Sequence, residues 1–170
     1  MKRKHEPKME HIWAPWRMKY IQETSEKKCF FCEGLKDKDN ATNLIVKRGE
    51  FAFVMLNRYP YTSGHLMVVP YSHTGSIEEI PIETKTEMME LITQATQVLG
   101  KVYGAEGFNI GANLGPMAGA GVADHLHFHI VPRWSGDTNF MTTVSNVRVL
   151  PETLTDSYKR IKDNWSSEAK

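Results

Sequence analysis

The sequence predicts an α+β domain with a mostly antiparallel sheet, and three observations support this class. Short apolar runs in the first half of the chain are joined by links of hairpin length. One long segment with helical periodicity comes next, and two further strand-like segments follow it. Strands that flank a single helix without regular alternation favour an antiparallel arrangement over a doubly wound parallel sheet.

Five strands are predicted, and they cover residues 44–46, 51–56, 65–69, 107–113 and 125–131. A hairpin turn at 47–50 joins the first two strands, because its residues separate two apolar runs by a short polar link. A glycine-rich loop at 114–121 precedes the last strand.

Two helices are predicted. The long helix is expected to begin near Thr84, because Thr84 and Glu87 have the spacing of a capping box. Its apolar positions recur at helical spacing as far as Val102. A C-terminal helix is expected over 151–165, with one apolar face formed by Leu154, Tyr158 and Ile161.

Composition limits the size and class of the protein. The chain has 170 residues, of which 41% are hydrophobic and 24% charged, so one domain can bury its own core. The net charge of +1 argues against a nucleic-acid partner, which would require a basic surface. Apolar runs are too short to span a membrane, and residues 1–10 lack a signal-like apolar stretch. We therefore expect a cytoplasmic protein with a mobile charged tail at 1–10 and a single domain at 11–170.

Three of the seven histidines, His125, His127 and His129, alternate with apolar residues. On a strand the three would share one face, and the core would be packed by Leu126, Phe128 and Ile130. The pattern is compatible with an exposed strand, with a metal held by neighbouring histidines, or with a phosphate site beside the glycine-rich loop. One ion could hardly bind all three, because positions i and i+4 on a strand lie roughly 13 Å apart.

The chain contains only two cysteines, Cys29 and Cys32, which are too few for a disulfide scaffold. Their Cys-x-x-Cys spacing suits two ligands of one tetrahedral metal ion. A redox pair and two reduced buried thiols are the alternatives that the spacing leaves open.

The segment His125-Leu-His-Phe-His-Ile-Val131 resembles the signature of the histidine triad (HIT) family of nucleotide hydrolases and transferases. Residues 57–70 resemble the family's substrate-side loop and the strand that follows it, while residues 132–141 and 13–17 resemble the branch close to bacterial diadenosine tetraphosphate hydrolases and phosphorylases. The resemblance covers roughly residues 11–165. It implies a HIT-like fold with a five-stranded sheet, one long helix and a C-terminal helix. It also implies a homodimer, with the helix at 84–102 and the strand after it near the interface.

The resemblance implies a role for each catalytic histidine. His127 would attack the α-phosphate and form a nucleotidyl-histidine intermediate. The other ring nitrogen of His127 would donate a hydrogen bond to the carbonyl of His125. His129 would contact the phosphate and stabilise its charge. His65 would support the triad from a neighbouring strand, although a core histidine without a chemical role is the alternative.

The resemblance also implies contacts with the substrate. Asn57 would bind the ribose, unless it only caps a turn, and Asn113 would reach the phosphates. Gly121 and Val122 stand where better-known branches of the family carry Gly-Gln-[Ser/Thr], so side-chain donors are replaced there by backbone N–H groups. Phosphate contacts would then come from that backbone, from His129, or from Asp137, Thr138 and Asn139.

A structural zinc site is implied by the HIT relatives that carry this cysteine pair. The four ligands would be Cys29, Cys32, His73 and His125. Four protein ligands leave no open position for water, so the ion would anchor the triad strand without activating a nucleophile.

The predicted function is cleavage of a phosphoanhydride in a nucleotide, with a dinucleoside polyphosphate such as diadenosine tetraphosphate as the substrate. Either water or inorganic phosphate could accept the nucleotidyl group, so both a hydrolase and a phosphorylase fit. A nucleoside phosphoramidase on the same scaffold and a zinc-stabilised nucleotide-binding module without turnover are the alternatives.

Overall fold

The computed structural model describes residues 29–36, 40–137 and 150–165. In chain order its helices and strands are α1 (Phe30–Lys36), β1 (Ile45–Arg48), β2 (Ala52–Leu56), β3 (Leu66–Pro70), α2 (Ile82–Tyr103), β4 (Gly107–Gly111), β5 (Phe128–Arg133) and α3 (Leu154–Trp165). The predicted tail at 1–10 lies outside the described residues, so the predicted domain bounds stay predictions.

The five strands form one sheet in the order β1-β2-β3-β5-β4. Every neighbouring pair is antiparallel, which confirms the predicted α+β class. Because β5 lies between β3 and β4, His129 of β5 pairs with Met67 on one side and Gly111 on the other. The histidine-bearing strand is therefore in the interior of the sheet.

The two faces of the sheet are covered by different helices. Alternate residues of a strand point to opposite faces, so Val54 and Leu56 pack with α2 and α3 while Phe53 and Met55 pack with Phe31 of α1. Among the described residues, no helix is both long enough and apolar enough to cross a membrane.

The capping box predicted at Thr84 and Glu87 is wrong. Helix α2 begins at Ile82, its N-cap is Pro81, and no side chain caps it. The Glu87 carboxylate instead accepts three hydrogen bonds of 2.6–2.8 Å from the N–H groups of the β1–β2 turn, those of Glu50, Phe51 and Ala52. Local spacing assigned Glu87 to the end of the helix, but the β1–β2 turn offers its carboxylate several N–H donors, and Glu87 binds these instead.

The other differences concern boundaries. Strand β5 begins at Phe128 instead of at residue 125, because the N–H of Leu126 donates to Thr74 O outside the sheet ladder. Strand β1 continues through Arg48, which shortens the predicted turn. Strand β4 ends at Gly111. The seven-residue helix α1 was not predicted, because two turns are too short to show helical periodicity.

Candidate active site and metal centre

The three alternating histidines lie on the face of the sheet that α1 covers. His125 and His127 are buried, and His129 is half-buried. The ring centroids of His127 and His129 are 4.9 Å apart. The predicted packing of the intervening residues is confirmed, because Leu126, Phe128 and Ile130 belong to the core on the opposite face.

The two ring nitrogens of His127 differ, because one is engaged in a hydrogen bond and the other keeps a lone pair. Its Nδ1 lies 2.9 Å from the carbonyl oxygen of His125. Because a carbonyl can only accept, Nδ1 carries the proton and Nε2 keeps its lone pair. Burial lowers the pKa of His127, although the bond to His125 opposes that shift. The ring is therefore held neutral, with a nucleophilic Nε2.

His65 sets the tautomer of His129. The backbone N–H of Tyr61 donates to His65 Nδ1 at 3.2 Å, so the proton of His65 is on Nε2. This Nε2 lies 3.0 Å from Nδ1 of His129 and donates to it. His129 consequently carries its own proton on Nε2, as a hydrogen-bond donor for an anion.

Both histidines of this pair stay uncharged at neutral pH. Burial, together with the neighbouring imidazoles His129 and His127, lowers the pKa of His65 to about 3. Burial and the neighbouring His127 lower the pKa of His129 to about 4. These histidines would therefore bind a phosphate through hydrogen bonds from neutral rings and not through the charge of an imidazolium.

The four predicted metal ligands lie together. The ligand atoms of Cys29, Cys32, His73 and His125 are all within 4.8 Å of one another. Nδ1 of His125 is 3.2 Å from Cys29 Sγ, 3.7 Å from Cys32 Sγ and 3.3 Å from His73 Nδ1. Tetrahedral zinc bonds of about 2.05 Å to nitrogen and 2.3 Å to sulfur require N···N and S···N separations of about 3.3 and 3.6 Å. The cluster therefore fits a zinc ion.

Backbone contacts bring the histidine ligands together. Nε2 of His125 donates to Pro70 O at 2.9 Å, which leaves Nδ1 as the ligand atom. The segment that carries His73 runs beside the chain before the triad, and Gly75 permits the approach, since a Cβ there would lie 2.1 Å from Ala123 O. The carbonyl of the same His125 also accepts the Nδ1–H of His127, so the candidate metal cluster and the candidate active site share a residue.

The predicted ribose ligand Asn57 is tied into its own loop. Its Oδ1 accepts the N–H of Tyr59 at 2.9 Å, and its Nδ2 lies 3.4 Å from Nδ1 of His65. The side chain therefore orders the loop beside His65, and its contact with a ribose stays a prediction.

The glycine-rich loop is partly closed on itself. Around a 3₁₀ turn at Pro116–Ala118, the N–H groups of Ala118 and Gly119 donate to carbonyls within the turn. Asn113 and Gly121 are exposed, and Val122 is half-buried against the core beside α1. The donors that remain candidates for a phosphate are therefore those closest to the triad, at Gly121 and Val122.

Asp137, one of the predicted phosphate contacts, is already engaged within the protein. The Asp137 carboxylate binds Arg133 Nε and the N–H of Trp134, while Thr138 and Asn139 lie outside the described residues.

Two residues at the site were missed by sequence reasoning. Tyr61 acts through its backbone N–H, which the residue type does not reveal. Phe31 could have been noticed, because it is an aromatic residue between the two cysteines.

Comparisons with known proteins identify the family of this chain. A family model described as the HIT domain matches residues 37–136. AP-4-A phosphorylase of Mycobacterium tuberculosis is 36% identical over 169 residues, which cover 94% of this chain and 86% of that protein. The adenosine 5'-monophosphoramidase of Saccharomyces cerevisiae is 30% identical over 110 residues, which cover 65% of each chain.

A solved structure gives the same fold. A zinc-bound histidine triad family protein from Mycobacterium smegmatis superposes with a TM-score of 0.66 at 26% identity, covering 83% of this chain and 95% of that one. Fold and site define an α+β domain with a neutral, buried histidine beside a Cys2His2 cluster. The chain belongs to the HIT domain family. The predicted family and the prediction of a HIT-family enzyme are confirmed.

Proposed function

We propose that this chain transfers a nucleotidyl group from a dinucleoside polyphosphate, such as diadenosine tetraphosphate, through a covalent intermediate on His127. The observation that carries the proposal is the 2.9 Å bond from His127 Nδ1–H to His125 O, which leaves Nε2 as a nucleophile in a neutral ring. The likeness to AP-4-A phosphorylase over 94% of the chain favours inorganic phosphate as the acceptor.

In the first step, the lone pair on His127 Nε2 attacks the α-phosphorus of the substrate. A P–N bond forms, the bond from the α-phosphorus to the bridging oxygen breaks, and ATP leaves with that electron pair. The new positive charge on the ring is stabilised by the His125 carbonyl. His129 Nε2–H donates to the phosphate as its charge develops, aided by N–H groups at Gly121 and Val122.

In the second step, an oxygen of inorganic phosphate attacks the same phosphorus and the P–N bond breaks. The products are ADP and a free His127, so the balance is diadenosine tetraphosphate plus phosphate giving ATP plus ADP. Water as the acceptor would give AMP in place of ADP. In both cases Asn57 is proposed to hold the ribose and Asn113 to reach the phosphates.

Zinc has a structural role in this proposal. The ion would be held by Cys29, Cys32, His73 and His125, whose spacing fits a closed tetrahedral site. The ion would cross-link α1 to the segment that precedes β5. Thiolate ligands need reduced cysteines, which suits the expected cytoplasmic location.

The assembly is proposed to be a homodimer formed through β4. This strand is an edge of the sheet, and apolar side chains are exposed on it and just after it, namely Ile110, Leu114 and Met117. An unpaired strand edge with exposed apolar residues is a template for a second copy. Sedimentation of the wild type and of the Ile110→Arg variant tests this, since a wild-type monomer would contradict the proposal.

Product analysis tests the proposed activity. The protein is incubated with diadenosine tetraphosphate with and without inorganic phosphate, and the nucleotides are separated. ATP plus ADP formed only with phosphate supports phosphorolysis, whereas AMP plus ATP without phosphate identifies water as the acceptor. Cleavage of adenosine phosphoramidate alone would indicate the phosphoramidase activity. Binding of these nucleotides without any product would contradict the proposal and favour a nucleotide-binding module.

A further inference from the structure

The two residues between the cysteines, Phe30 and Phe31, have different surroundings. Phe30 is half-buried, and the guanidinium of Arg58 lies 5.2 Å above its ring. Phe31 is only 3% exposed and packs into the core on the histidine face of the sheet. Its ring centroid lies 5.0 Å from that of His127 and 5.2 Å from that of His125. Phe31 therefore packs directly against the ring of the proposed nucleophile.

The polar contacts of His127 do not by themselves orient its ring. The hydrogen bond to His125 O fixes the position of Nδ1, but the plane of the ring can still tilt about that contact. Among the described residues, His129 is the other ring next to it, at an interplanar angle of 76°. Phe31 lies against His127 at an angle of 47° and so limits the tilt.

Orientation of this ring matters for the chemistry. In-line displacement requires the Nε2 lone pair to point along the bond that breaks, and a misplacement of about 1 Å can reduce a rate about 100-fold. A side chain that restricts the imidazole therefore contributes to turnover without touching the substrate.

We propose that Phe31 is a positioning residue that holds the His127 imidazole in the orientation for attack. The inference rests on the proposed function, because it concerns the same nucleophile. It also gives the segment at 29–36 two roles, since Cys29 and Cys32 are the proposed metal ligands while Phe31, which lies between them, supports the ring that reacts. Loss of the metal would then disturb His127 through Phe31 as well as through His125.

The test compares Phe31→Leu with the matched variant Phe30→Leu on the same helix. Phe31→Leu is expected to lower kcat by about 10- to 100-fold, while KM and the bound zinc stay as in the wild type. Phe30→Leu is expected to leave kcat unchanged. An unchanged kcat in a zinc-loaded Phe31→Leu protein would overturn the inference.

A second readout needs no substrate and separates this inference from the proposed function. In protein labelled with ¹⁵N-histidine, the Nδ1 proton of His127 should exchange with solvent faster in Phe31→Leu than in the wild type or in Phe30→Leu. Equal exchange in all three proteins would overturn the inference. A wild type that turns over no nucleotide would contradict the proposed function alone, because the exchange comparison still decides the role of Phe31.

If Phe31→Leu loses zinc or does not fold, Phe31→Met replaces it, since methionine is flexible and fills similar space. A zinc-loaded Phe31→Met protein with reduced kcat and wild-type KM supports the inference. Full kcat in that zinc-loaded protein contradicts it.

Discussion

The candidate metal cluster and the candidate active site each use a histidine, but through opposite ring nitrogens. His125 donates from Nε2 to Pro70 O and turns Nδ1 toward the cysteines, whereas His127 donates from Nδ1 to His125 O and keeps Nε2 free. The two histidines are two residues apart, yet the carbonyl that each one meets decides which nitrogen it offers. The chemical role of each imidazole is thus set by the backbone around it.

The largest effect is expected from removing the proposed nucleophile. His127→Ala should lower turnover of diadenosine tetraphosphate by roughly 10,000-fold or more, because the covalent step is lost. Zinc content should be unchanged, since His127 is not in the metal cluster. Steady-state kinetics and metal analysis of this variant, with the exposed Thr93→Ala as a control, measure both. Turnover near that of the wild type would remove His127 as the nucleophile.

The next largest effect is expected at the metal cluster. Cys29→Ser should lose about one equivalent of zinc and lower the free energy of unfolding by several kcal/mol, since binding of a structural zinc contributes to folding. Elemental analysis and thermal unfolding provide the measurements. The assignment would be contradicted by stoichiometric zinc in a protein that carries serine at both 29 and 32.

A smaller, pH-dependent effect is expected at His65. Its pKa is lowered to about 3 in the folded protein, from an unfolded value near 6.5. Above pH 6.5 both states are neutral at this residue, so it contributes nothing to stability. As the pH falls below 6.5, the unfolded chain binds a proton that the folded protein does not, and stability is lost.

The variant His65→Gln checks this pH dependence. Glutamine does not titrate and can keep one acceptor and one donor. Unfolding by urea between pH 7 and pH 4 should show a smaller loss of stability in His65→Gln than in the wild type. Parallel pH profiles would show that His65 titrates normally in the folded protein.

The smallest effect concerns Glu87, which lies away from both clusters. Its carboxylate binds three N–H groups of the β1–β2 turn, and Gly49 leaves room for it, because a Cβ there would lie 2.5 Å from Glu87 Oε1. Glu87→Gln should lower the free energy of unfolding by about 1–3 kcal/mol and leave kcat unchanged. Urea unfolding and kinetics test this; a change in kcat would show that the turn communicates with the active site.

Sequence reasoning predicted the parts of this molecule that depend on residue type and spacing. The alternation of His125, His127 and His129 with apolar residues indicated a strand with one chemical face, and the resemblance to the HIT family supplied His73 as the fourth ligand. The sheet class and α3 followed from apolar periodicity.

The features that it missed depend on tertiary contacts. Glu87 had the spacing of a capping residue, but a turn from another part of the chain offered it more donors. The tautomer of His65 depends on the backbone N–H of Tyr61, which every residue type except proline would provide. The beginning of the predicted fifth strand bonds to Thr74 instead of to β3.

The central claim is that His127 offers Nε2 as a nucleophile while His125 serves the metal. The most direct measurement is mass spectrometry of the protein mixed briefly with diadenosine tetraphosphate in the absence of inorganic phosphate and quenched at high pH. We expect the addition of one adenylyl group, located at His127 by peptide fragmentation and absent from His127→Ala. An adduct on another residue, or rapid turnover without any covalent adduct, would contradict it.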